Sequence, residues 1–154
     1  MPPDGERVAM PADPLAVALG ALPHGPEFRF VERLLSLDPG VSGSGEFTLR
    51  GDEPYLKGHF PGNPLMPGVL LVEAAAQLAG VVAQSDPARS PLQNLKLTAI
   101  RAAKILGSAQ PGETVTLHAR VVGRMGTLIQ AQSTASCRGQ LILQCEVTLS
   151  GTGS

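Results

Sequence analysis

The sequence predicts an α+β fold in which one enclosed helix is wrapped by an antiparallel sheet, and three observations carry that expectation. Residues Gly68 to Gln84 are apolar almost all round and crowded with Ala74, Ala75, Ala76, Ala79 and Gly80, the pattern of a helix that must be surrounded. Two strand-like runs precede it and four follow it, an order unlike the alternation of parallel βαβ units. With 154 residues, 43% of them hydrophobic, the chain is long enough to bury one core, and no composition shift or repeat divides it.

Taken in order, residues 1–14 are rich in Pro, Asp and Glu without periodicity and are expected to be a disordered leader. Asp13 is placed to cap a short helix running to Ala21. Phe28 to Leu37 reads as a strand ending at Asp38-Pro39-Gly40, and a second strand spans about Ser42 to Leu49. Gly51 to Pro67 holds three Gly and four Pro in seventeen positions, which argues for a tightly specified loop without a regular element. Pro67 then suits the first turn of the long helix. Strands are expected at about Leu92 to Ile105, Glu113 to Met125, Thr127 to Arg138 and Gln140 to Leu149, the last two joined by an Arg138-Gly139 turn. The domain is expected over 15–150, with a flexible tail at 151–154.

Composition excludes several classes. A net charge of -1 and a pI of about 6.3 disfavour a general nucleic-acid binder, and with no Trp, one Tyr and four Phe there is little to stack bases on. Cys137 and Cys145 lack CxxC spacing and are expected to be free thiols, which fits a reducing, cytoplasmic setting. The longest apolar stretch, Val69 to Ala83, is short for a membrane span and carries Glu73 and Gln77. No metal site is indicated.

Chemistry concentrates in Gly58-His59-Phe60-Pro61-Gly62-Asn63-Pro64-Leu65-Met66-Pro67-Gly68-Val69, continuing through Glu73 to Gln77. His59 is held between Gly58 and Phe60-Pro61-Gly62, so backbone restraint fixes a ring that can accept a proton. Glu73 lies among aliphatic neighbours in the second helical turn, surroundings that favour a neutral, proton-donating carboxylic acid. The amides near Gly68 and Val69 open the helix without intrahelical acceptors and can hold a developing oxyanion. Gln77, one turn after Glu73, can orient its carboxyl group. Base, acid and oxyanion site suit removal of water from the carbon beta to a thioester carbonyl. Phe60 and Met66 read as pocket or core residues, His118 as a surface or packing residue of a strand, and His24 as a residue that orders a turn.

This segment resembles the signature of the beta-hydroxyacyl-[acyl-carrier-protein] dehydratase family of FabZ type, G-H-F-P-G-x-P-x-M-P-G-V-L followed by E-A-x-A-Q. The resemblance extends to Leu22-Pro23-His24 upstream and to Ala103-Lys104 and Pro111-Gly112-Glu113 downstream. Two places depart from the family pattern, Gly25 to Phe28 and Ile105 to Ala109. The resemblance implies a hotdog fold and homodimers that share their active sites and assemble further into trimers of dimers. His59 is the implied catalytic base and Glu73 the catalytic acid, from opposite subunits, with Gly68 polarising the thioester carbonyl. The implied substrate rides on the phosphopantetheine arm of acyl carrier protein, and the enzyme itself needs no cofactor.

Charge adds a separate expectation. Residues 1–77 hold five Lys/Arg against ten Asp/Glu, whereas residues 78–154 hold seven against three. Arg89, Lys96, Arg101 and Lys104 are therefore candidate contacts for an acidic carrier protein, with ordinary solvated sheet charges as the plainer alternative. Two other functions share the expected fold: an acyl thioesterase, and a non-catalytic helper subunit of a heteromeric dehydratase.

Overall fold

The computed structural model describes residues 13–153; residues 1–12 of the expected leader, and Ser154, lie outside the described residues. Asp13 caps the first helix, α1 (Pro14–Leu19), its carboxylate accepting from the Leu15 amide at 3.0 Å. Two strands follow, β1 (Arg33–Asp38) and β2 (Ser42–Thr48), then the long helix α2 (Gly68–Gln84). The rest is sheet: β3 (Gln93–Ile105), β4 (Thr114–Met125), β5 (Leu128–Cys137) and β6 (Gln140–Thr152). The strands form one antiparallel sheet in the order β1-β2-β4-β5-β6-β3.

The sheet curls round α2, and small side chains let it approach. Ala74, Ala75 and Ala79 of the helix are fully buried, and a Cβ added at Gly43 of β2 would lie 2.9 Å from Val82. Leu71 and Leu78 on the helix meet Leu117, Ile129, Leu143 and Val147 from the strands in one core. Truncating such a leucine to alanine costs about 2–5 kcal/mol. Strands β4 and β5 alternate buried and exposed side chains, the period of a sheet with one covered face. His118 falls on the exposed phase of β4, opposite Ser44 and Thr134.

Three expected boundaries move. The strand expected from Phe28 begins only at Arg33, because Phe28 and Phe30 give their backbone bonds to the Gln77 side chain of the helix, strand-type bonding to β2 starts only at the Glu32 amide, and Pro26–Phe28 forms a single 3-10 turn. Within the loop at 51–67, where no regular element was expected, Pro54–Leu56 forms another 3-10 turn, with Pro54 supplying its first position and Leu56 buried. At the other end β6 continues to Thr152, two residues into the segment expected as a tail, because its pairing with β3 runs on to Gln93.

The β5–β6 turn falls at Arg138-Gly139, both with positive φ (+55° and +72°). This conformation matches the twist of a two-residue hairpin. Cys137 therefore pairs across with Gln140 and Cys145 with Ser133, and both thiols are free and buried. No helix among the described residues is long and apolar enough to cross a membrane. At one edge of the sheet, β3 leaves Ile100 and Ile105 about half exposed.

Candidate active site

The loop before α2 holds His59 almost entirely through backbone. Gly58 and Gly62 adopt φ of +87° and +84°, and between them Phe60 takes φ of +54°, a conformation a bulky residue rarely adopts. The His59 amide donates to the Leu56 carbonyl at 3.2 Å, and Met66, fully packed, donates its amide to Ala109 at 3.0 Å. The first bond tightens the loop on itself, and the second ties its end to the segment after β3.

His59 Nδ1 lies 2.9 Å from the Leu65 carbonyl. A carbonyl only accepts, so Nδ1 carries the proton, and in the neutral ring Nε2 presents a lone pair. The Phe60 ring packs edge-on against the imidazole at 4.8 Å and is itself largely exposed.

Helix α2 starts without a side-chain cap. Pro67 is its N-cap, and the first internal bonds run from Leu70 and Leu71 to the Pro67 carbonyl. The Gly68 and Val69 amides thus sit ahead of the first acceptor, at the positive end of the helix dipole. A Cβ at Gly68 would lie 2.7 Å from Ile105 Cδ1, so the end of β3 leaves room there for hydrogen alone.

Glu73 is held differently. Its Oε1 accepts from Gln77 Nε2 at 3.2 Å, and Gln77 also donates to the Phe28 carbonyl at 2.8 Å and accepts from the Phe30 amide at 2.9 Å. Gln77 is buried, with both its N–H groups and its oxygen engaged, and acts as a staple between the helix and the chain that leads into β1. The His24 ring completes the arrangement, with Nε2 3.4 Å from Glu73 Oε1. The surroundings of Glu73 are thus less aliphatic than its helical neighbours suggest. The spacing along α2 holds no basic residue near Glu73, and only the fold delivers the imidazole. The Leu22-Pro23-His24 motif was the available signal for it.

A cavity of about 670 Å³ opens beside this group, lined by Leu22, His24, Glu73, Gln77, Gly80 and Leu95 among others. Lys96 also lines it, but His59 does not. Of the expected site residues, the structure joins Glu73 with Gln77, and His59 with Phe60, and places Gly68 and Val69 at the first turn of α2.

The four basic positions are less uniform than their charge suggests. Arg89 pairs with Asp86 at 3.5 Å and Arg101 with Glu146 at 3.2 Å, while Lys96 and Lys104 stand exposed on β3. Among the described residues no group of three His, Cys, Asp or Glu side chains is close enough to hold a metal ion.

Comparison with known proteins agrees with the fold and adds ancestry. The FabA-like domain family matches residues 22–146, a range that contains the whole segment from Gly58 to Gln77. The 3-hydroxyacyl-[acyl-carrier-protein] dehydratase FabZ of Chloroflexus aggregans is 35% identical over 134 residues, covering 87% of this chain and 92% of that one. The FabZ of Anaeromyxobacter is 33% identical over 144 residues, covering 92% and 91%. Among solved structures, the dehydratase heterocomplex ApeI:P from Xenorhabdus doucetiae superposes with a TM-score of 0.74 at 15% identity, over 91% of this chain and 92% of that one. Zebra fish thioesterase superfamily member 2 superposes with a TM-score of 0.63 at 17% identity, over 88% and 91%, so the fold by itself spans more than one chemistry. Identity above 30% across nearly the full length, together with the helix-in-sheet architecture, establishes that this chain belongs to the FabZ-type family of hotdog-fold dehydratases.

Proposed function

We propose that the chain dehydrates 3-hydroxyacyl-[acyl-carrier-protein] to trans-2-enoyl-[acyl-carrier-protein], in fatty-acid or polyketide-type synthesis. The observation that carries this reading is the near full-length identity to FabZ dehydratases, within which the His59 loop and the Glu73 helix lie. The geometry supports a division of labour. His59 Nε2, left as an acceptor by the Leu65 bond, takes the proton alpha to the thioester. The charge that builds on the thioester oxygen meets the Gly68 and Val69 amides. Glu73 protonates the beta hydroxyl, the carbon–oxygen bond breaks and water leaves. Phe60, beside His59, is placed to contact the acyl group.

The same reading makes the working unit a homodimer in which His59 of one subunit meets Glu73 of the other. Its support is that the cavity beside Glu73 lacks His59, and that β3 ends the sheet as an open edge with apolar side chains exposed. The substrate's phosphopantetheine arm belongs to the acyl carrier protein, and the proton transfers described call on no cofactor of the enzyme. Lys96 and Lys104 are the stronger carrier contacts, since Arg89 and Arg101 already have acidic partners.

The test follows enoyl thioester and free thiol together, with a short 3-hydroxyacyl thioester on carrier protein. Enoyl product from the wild type, cut by about 10²–10⁴ with His59→Ala and with Glu73→Gln, is the expected result. Free thiol without enoyl product would replace this reading with a thioesterase, and neither product would replace it with a helper subunit.

A further inference from the structure

We propose that His24 is a positioning residue for Glu73, acting with Gln77 to occupy one carboxyl oxygen so that the other delivers the proton. This rests on the dehydratase reading above for its catalytic meaning, but the contact itself stands on the structure alone.

The turn that carries His24 is built to present it. Leu22 is buried and Pro23 restricts the backbone just before the histidine. The Arg29 guanidinium then clamps the turn, donating to the carbonyls of Leu22 at 3.1 Å and His24 at 3.3 Å. Gln77 fastens the following residues to the helix through Phe28 and Phe30, and the Phe28 ring lies 6.1 Å from the imidazole. A residue that only ordered a turn would not need its ring directed at a helix carboxylate, yet His24 Nε2 reaches to 3.4 Å from Glu73 Oε1.

The other ring nitrogen selects the tautomer. His24 Nδ1 is buried and has no hydrogen-bond partner. An orphaned buried N–H is rarer than an orphaned acceptor, so the neutral ring keeps its proton on Nε2, facing Glu73. Gln77 then donates to Oε1 at 3.2 Å and the His24 Nε2 lies 3.4 Å from the same oxygen without a formed hydrogen bond, while Oε2 accepts no bond among the described residues. Oε2 is the oxygen left to carry the acidic proton. As that proton passes to the leaving hydroxyl, negative charge appears on the carboxyl group, and the Gln77 donor stabilises it together with the His24 N–H as this closes on Oε1. The 3.4 Å separation is long for such a bond, and contacts of this kind tighten when substrate binds.

The experiment compares His24→Phe, which keeps a ring against Phe28 without a nitrogen, with His24→Gln, whose side-chain amide extends a donor in the direction of Nε2. With carrier-bound 3-hydroxyacyl thioester, His24→Phe is expected to lower kcat about tenfold to a hundredfold with KM little changed, the effect of losing one hydrogen bond to a charged group. His24→Gln is expected to recover most of that loss. Equal activity of His24→Phe and wild type, or equal impairment of the two variants, would overturn the proposal in favour of packing.

A second arm does not need turnover. In protein carrying nitrogen-15 histidine, the His24 Nε2 resonance is expected to show the Nε2-protonated form and to move in Glu73→Gln. No movement would overturn the contact even in an active enzyme. A wild type that makes no enoyl product while this resonance responds to Glu73 would instead remove the dehydratase reading and leave the contact standing.

Discussion

His59 and Glu73 are anchored by opposite means. The contacts His59 itself makes lie within six residues of it, the Leu56 and Leu65 carbonyls, and the unusual φ angles of Gly58, Phe60 and Gly62 shape the chain around it, with the Met66 amide anchoring the end of the loop to Ala109. Glu73 is restrained by side chains, Gln77 from its own helix and His24 from beyond the start of the sheet, and Gln77 is in turn locked to Phe28 and Phe30. A base held by backbone tolerates change elsewhere in the protein, whereas an acid held by a chain of side chains inherits every disturbance of that chain. Loop chemistry is thus local, and helix chemistry is tertiary.

The contrast can be broken or sharpened by mutation. The largest effects are expected from the reacting groups: His59→Ala and Glu73→Gln should each lower enoyl formation by about 10²–10⁴, with little change in unfolding midpoint. Next comes Gln77→Leu, which leaves the Phe30 amide without its acceptor. It should destabilise the protein by about 1–3 kcal/mol in denaturant unfolding and also lower kcat. If Gln77→Leu left activity untouched, the view of Glu73 as tertiary-held would fail.

At the helix start, Gly68→Ala drives a methyl into Ile105 Cδ1 and should cost about 1–3 kcal/mol together with a loss of turnover. Adding Ile105→Val removes that atom and should restore part of both; a pair no better than the single variant would mean that Ile105 is not the obstacle. The smallest effect lies away from both groups. Burial raises the Cys145 thiol from 9.0 to about 11, so the folded state holds this proton more tightly than the unfolded chain. Its contribution to stability should be complete below pH 9 and decline as pH rises towards about 11. Unfolding midpoints of the wild type and Cys145→Ala across that range would show it as a difference in slope.

Much of this was legible in the chain. The helix Gly68–Gln84 follows from its apolar circumference and the proline before it, and the four later strands follow from alternation and glycine turns. The His59 loop is legible because Gly and Pro encode backbone geometry directly. Less legible was the stretch from Phe28, whose aromatic and apolar residues read as strand. There the competing partner was the amide of Gln77, forty-seven residues away, and no local pattern announces such a bond. Likewise the basic positions 89, 96, 101 and 104 look alike in sequence, yet two of them are paired to acidic neighbours once the chain folds.

By itself the sequence determined which residue types stand at which short-range spacing: the restrained histidine, the glycine at the uncapped helix start, and the glutamate one turn before a glutamine. Only the tertiary structure decided that Gln77 spends its remaining bonds on Phe28 and Phe30, that Ile105 closes over Gly68, and that the ring of His24 reaches Glu73. The physical reason is range. Dihedral preferences and helical periodicity act over a few residues and are written in the local pattern. Contacts between distant side chains depend on how the sheet curls round the helix, which the whole core sets at once.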